Sequence, residues 1–184
     1  MRFNAPEHLQ FWKDTGRFPA IHDDIMHLAS SHMRGLTALD LCCSTGLLGQ
    51  RVAAHLGAEV VGVDGDTRAL ALGKEAGLDV RLVYQRIDPH DLQPLENLLQ
   101  QHQIETVLAR RCLPELFGQA LAAGRTFAQM LHRQQVQEIL VEGRMVSPGA
   151  VNPLASLAQE VELLGPYYQV RKLHRNVAYL TRVP

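Results

Sequence analysis

The chain has 184 residues, of which 46% are hydrophobic and 20% charged, with a formal net charge of -1. That is enough for one domain with a substantial core and too little for a cofactor domain plus a substrate domain of ordinary size. The near-neutral balance excludes a strong overall field toward nucleic acid or anionic membrane, so any such partner must be read by a local patch.

No apolar run reaches the length of a membrane span, and Arg2, Glu7 and His8 interrupt the N-terminal residues, unlike a signal peptide. A cytoplasmic protein with no membrane partner is expected. Cys42 and Cys43 are adjacent and Cys112 stands alone, without C-x-x-C or Cys/His spacing for zinc. Reduced, mostly buried thiols and no metal are the expectation.

In chain order, Pro6 to Lys13 and Ala20 to Met33 read as helices, the second with an apolar face of Ile21, Ile25, Met26, Leu28 and Ala29. Residues 1–36 are thus expected to form an N-terminal helical cap, ahead of a Rossmann-like domain over 37–184 in one compact unit. Thr37 to Cys43 predicts a buried strand, Leu47 to Leu56 a helix capped by Gly57, and Glu59 to Asp64 a second buried strand. Thr67 to Ala76 predicts a helix, Val80 to Ile87 a strand, His90 to His102 a helix and Ile104 to Ala109 a strand. A helix over Pro114 to Gln134, broken near Gly124, a strand at Glu138 to Glu142 and a helix at Leu154 to Leu164 follow.

This alternation predicts an α/β fold, a doubly wound, mostly parallel sheet with helices on both faces. At the C-terminus, Tyr167 to Leu173 and Val177 to Val183 are strand-like but separated by only His174, Arg175 and Asn176. A parallel crossover needs a dozen or more residues, so these two must form an antiparallel hairpin.

The densest chemistry lies in Asp40-Leu-Cys42-Cys43-Ser44-Thr45-Gly46 and in Asp64-Gly65. In an open parallel sheet, the strand ends and the first helix N-terminus face a crevice that takes a nucleoside-containing cofactor. Ser44-Thr-Gly46-Leu-Leu-Gly49 fits G-x-G-x-x-G with Ser in the first place, and Asp64 follows at about the twenty-residue distance of a dinucleotide site. A small NAD-dependent reductase is therefore one reading. Against it, Asp40 would repel a pyrophosphate and favour an ammonium or sulfonium group, while Asp64 offers paired acceptors to ribose hydroxyls.

At these residues the chain resembles the class I S-adenosylmethionine-dependent methyltransferases, whose first motif is commonly D-x-G-x-G-x-G. Of the three glycines only Gly46 is present, with Cys42 and Ser44 in the other places. The resemblance implies a seven-stranded αβα sandwich with only the last strand antiparallel. It implies S-adenosylmethionine as cofactor, its methionine part wrapped by residues 40–46 and its ribose held by Asp64. Asp88 is implied against the adenine amino group, with Asp91 as the alternative, since either aspartate also suits a helix N-cap.

Arg110, Arg111 and Cys112 end the fourth strand, where the family places its acceptor. Alternation along a strand lets at most one arginine face the crevice, where it would bind a carboxylate or phosphate. Glu142 and Arg144 end the fifth strand, in a place to line the acceptor pocket, although a rim salt bridge is the simplest reading of them. His22, Asp23 and Asp24 open a helix in a capping pattern; laid over the crevice, that helix would bring His22 near the acceptor, but an unpaired surface histidine is the expectation. Arg171, Lys172, His174, Arg175 and Arg182 make the terminal hairpin basic, as a charge-protected edge or a nucleic-acid contact. The expected function is methyl transfer to an unidentified small molecule or macromolecule, the alternatives being a non-catalytic cofactor binder and the NAD-dependent reductase.

Overall fold

The computed structural model describes residues 22–78, 80–143, 154 and 156–184. The helix expected at Pro6 to Lys13, and Arg144, lie outside the described residues. The elements are α1 (Asp23–His32), β1 (Thr37–Leu41), α2 (Leu47–Leu56), β2 (Glu59–Asp64), α3 (Thr67–Glu75), β3 (Arg81–Tyr84) and α4 (Gln93–Gln101). They continue with β4 (Thr106–Arg110), α5 (Leu113–Phe117), α6 (Leu121–Arg133), β5 (Glu138–Glu142), α7 (Leu157–Leu164), β6 (Tyr168–His174) and β7 (Val177–Arg182).

The strands form one seven-stranded sheet in the order β3-β2-β1-β4-β5-β7-β6. β1 to β5 are mutually parallel, whereas β7 runs antiparallel to both β5 and β6. The order reverses at β1, which has β2 on one side and β4 on the other, so the loops after β1 and β4 diverge and leave a crevice there.

Strand alternation divides the core in two. Leu39, Leu41, Val61, Val63, Val107, Ala109, Ile139 and Val141 face α4, α5, α6 and α7. Ala38, Val60, Leu108 and Leu140 face α1 and α2. Each such Leu, Val or Ile, fully buried, contributes about 1.5–3 kcal/mol of transfer free energy, which is why these strands read as near-continuous apolar runs. The described part of the N-terminal region, α1, packs on the sheet through Ile25, Met26, Leu28 and Ala29.

Two elements and one residue depart most from the sequence reading. β3 covers only Arg81–Tyr84, with Arg81 and Tyr84 exposed at the sheet edge. The long helix breaks between Phe117 and Leu121, and Gly124 lies inside α6. A Cβ on Gly124 would stand 2.8 Å from a Leu163 methyl carbon, so this glycine allows α7 a close approach. His22, expected at the surface, is buried.

Candidate functional site

The segment joining β1 to α2 keeps the backbone that a three-glycine turn would have. Cys42 (φ 56°), Ser44 (φ 54°) and Gly46 (φ 84°) are all left-handed, at alternate positions as the motif spacing requires. For a non-glycine residue this conformation costs about 1–2 kcal/mol. The turn is held by Cys43 N–H donating to the Val63 carbonyl (3.0 Å) and by Gly46 N–H donating to the Cys43 carbonyl (2.9 Å). Glycines elsewhere make room for it. A Cβ on Gly62 would meet the Cys43 Sγ at 2.9 Å, and one on Gly73 would meet the Thr45 carbonyl oxygen. Gly73, a glycine inside an otherwise regular helix, is the sequence signal for this close approach.

Asp64 closes β2 and fastens the turn from the side. Its Oδ2 accepts the Ser44 N–H and its Oδ1 the Asp66 N–H, both at 2.8 Å. Asp66 in turn caps α3 by accepting from Arg68 N–H (2.9 Å) and Ala69 N–H (3.2 Å). Each Asp64 oxygen has a second lone pair, so the carboxylate retains capacity for two further donors.

Asp40 lies beneath the turn, buried, with Oδ2 accepting the Gly49 N–H at 3.0 Å in the first turn of α2. Burial pushes its carboxyl up to about 7, against the pull of that hydrogen bond and of Arg110, and nearby Asp64 adds to the rise. Around neutrality the group sits between its two states, ready to take negative charge when a cation approaches.

The remaining predicted residues divide by what they present. Cys43 and Thr45 are buried, Cys43 packing with Leu70 and Leu82, so what these two offer a ligand is backbone. Burial also pushes the Cys43 thiol up, with Asp40 adding to it. Cys42 is half-buried and packs against the core cluster that holds Cys112, whose thiol is raised by the neighbouring Cys42 side chain and by burial. Gly65 is exposed, and a Cβ there would meet Arg86 only at ordinary contact distance. Asp88 accepts the His90 N–H (2.8 Å) and Asp91 the Gln93 N–H (3.2 Å), so both aspartates shape the turn that leads into α4.

At the ends of β4 and β5 the structure departs from the alternation argument. Arg110 pairs across the sheet with Glu142, Nε to Oε2 at 3.0 Å. Arg111 does not point away but turns back through a left-handed backbone (φ 55°) and meets Oε1 of the same carboxylate at 2.5 Å. Both arginines therefore converge on Glu142. The pairing of Arg110 with Glu142 follows from setting two five-residue strands in register, whereas the turn at Arg111 has no signal in residue type.

A strand order of 3-2-1-4-5-7-6 with β7 reversed is the class I S-adenosylmethionine-dependent methyltransferase fold, and this chain has it. No protein-family model matches the chain, and no curated protein does. Solved structures do. The PH0226 protein from Pyrococcus horikoshii OT3 superposes with a TM-score of 0.67 at 14% identity, over 91% of each chain. A TehB-like SAM-dependent methyltransferase from Corynebacterium glutamicum ATCC 13032 Kitasato gives 0.61 at 15% identity, over 97% of this chain and 98% of that one. The bifunctional kinase-methyltransferase WbdD gives 0.60 at 16% identity, with 91% of this chain matching 39% of WbdD.

Proposed function

We propose that this chain binds S-adenosylmethionine and transfers its methyl group to an acceptor. The observation that carries the reading is the triple left-handed turn at Cys42, Ser44 and Gly46, kept although two of the three residues are not glycine. Backbone strain of this kind persists where the surroundings over-determine it, and it concentrates at ligand sites. Here the surroundings are Asp64, which accepts the Ser44 N–H, and Gly62 and Gly73, whose missing side chains leave room for Cys43 and Thr45.

Within this reading the turn passes around the methionine part, Asp64 adds ribose hydroxyls to its two backbone partners, and Asp88 lies toward the adenine. Asp40 supplies charge from below. Bound S-adenosylmethionine brings a methyl carbon on a sulfonium, a leaving group that needs no protein acid. The chain's own work is to hold the donor, exclude water and align the acceptor. The reversed β7 also weighs against a dinucleotide enzyme, whose usual sheet is parallel throughout.

Isothermal titration with S-adenosylmethionine, S-adenosylhomocysteine and NADH tests the reading. Micromolar binding of the first two without NADH binding supports it. NADH binding alone establishes the reductase, and binding of neither class removes the cofactor assignment. Label transfer from methyl-tritiated S-adenosylmethionine into fractionated small molecules, RNA, DNA and protein then separates an enzyme from a non-catalytic binder.

A further inference from the structure

β4 and β5 end on a charge arrangement that the cofactor does not account for. The Glu142 side chain is 5% exposed and is shared by Arg110, 20% exposed, and Arg111, 46% exposed. Each guanidinium uses Nε and each takes one oxygen of the carboxylate. Arg110 also faces the carboxyl of Asp40, whereas Glu142 is the one carboxylate that meets the Arg111 guanidinium among the described residues. Arg111 is also the more accessible of the two.

The backbone shows that this orientation is imposed. Continued alternation would send Arg111 to the opposite face from Arg110. Instead its φ is 55° and its N–H donates to the Glu142 carbonyl at 2.7 Å, a conformation that costs energy for a residue with a Cβ. Engagement through Nε leaves the terminal nitrogen pair, the end-on fork that matches two oxygens of a carboxylate or phosphate. Among the described residues that fork has no partner. Its location is beside the turn after β1, because Leu41 and Ala109 are register partners and Cys42 and Cys112, just beyond them, belong to one packed cluster.

We propose that Arg111 reads the methyl acceptor, receiving a carboxylate or phosphate group on it, and that Glu142 is the positioning residue that holds the fork. The proposal rests on the methyltransferase reading, which makes this end of β4 the acceptor's side. A neutral acceptor would leave the fork to water, and a cationic one would be repelled.

Titration of the full chain with inorganic phosphate and with acetate, followed through backbone amide resonances around Arg111, tests this. A saturable shift with at least one of the two anions is expected, with binding weakened about tenfold in Arg111→Gln, the loss of one charge-assisted pair. Arg111→Lys keeps charge without the fork and should fall between, and it carries the comparison if the glutamine variant does not fold. Absence of saturation with both anions, or an unchanged constant in either variant, overturns the proposal. A parallel titration with S-adenosylhomocysteine separates the two readings. Binding of that nucleoside without anion binding removes only the role of Arg111, whereas anion binding without it removes the methyltransferase reading.

Discussion

Asp64 and Ser44 are joined by a 2.8 Å hydrogen bond from the Ser44 N–H to Oδ2, which ties the end of β2 to the turn after β1. The proposed ribose ligand is thus also a brace for the loop. Asp64→Ala should weaken S-adenosylmethionine binding by more than about 1 kcal/mol, the scale of lost charge-assisted hydrogen bonds. It should also lower unfolding free energy by about 1–2 kcal/mol, because two backbone donors lose their acceptor. Calorimetry and urea titration measure the two effects separately. Unchanged affinity would place the ribose elsewhere.

Ser44 is exposed and left-handed, so glycine there should relieve strain without losing packing. The relief is about 1–2 kcal/mol, and the greater freedom of glycine in the unfolded chain takes back about 0.5–1 kcal/mol. Ser44→Gly should therefore raise the melting temperature by about 1–4 °C. A lower midpoint would mean that the hydroxyl stabilises the turn more than its backbone strains it.

What the sequence made readable was whatever depends on local pattern. Buried apolar runs ending on Asp40 and Asp64 predict β1, β2 and a crevice between their ends, and three intervening residues suffice to predict the reversed terminal hairpin. What escaped depends on partners distant in sequence. Arg111 turns because a carbonyl and a carboxylate of β5 receive it. Gly124 looked like a helix break, yet its purpose is set by Leu163 on another helix. β3 came out shorter than its apolar pattern because an edge strand has one neighbour to keep it extended.

Glu138 belongs to the same category. At the head of β5 it is buried and accepts from Arg34 N–H (2.9 Å) and Gly35 N–H (3.1 Å), more than a hundred residues away in the chain. Thr106 Oγ1 (3.1 Å) and the Tyr179 hydroxyl (2.8 Å) complete its partners. Burial, and then this carboxylate, push the Tyr179 phenol up. Glu138→Ala should cost roughly 2–4 kcal/mol, since it strips four donors, two of them buried hydroxyls, of one charged acceptor. A urea midpoint within error of the parent would show that water replaces the carboxylate.

Asp40 gives stability a pH dependence of defined sign. Its folded-state value of about 7 exceeds the ordinary carboxyl value of about 3.9 in an unfolded chain, so between those values the folded chain binds more protons than the unfolded one. Its contribution is therefore fully present below about pH 4, declines as pH rises and is lost above about pH 7, a span on the order of 4 kcal/mol. Asp40→Asn removes that slope while keeping an oxygen for the Gly49 N–H. The variant should be more stable than the parent at pH 8, with the difference closing toward pH 5 in urea titrations. Cofactor binding should run the other way. A cationic ligand favours the ionised carboxylate, so affinity for S-adenosylmethionine should rise from pH 6 to 8 in the parent and stay flat in Asp40→Asn. S-adenosylhomocysteine, without the sulfonium charge, should show a shallower rise. Equal slopes for the two nucleosides would mean that Asp40 does not sense the methyl-bearing sulfur.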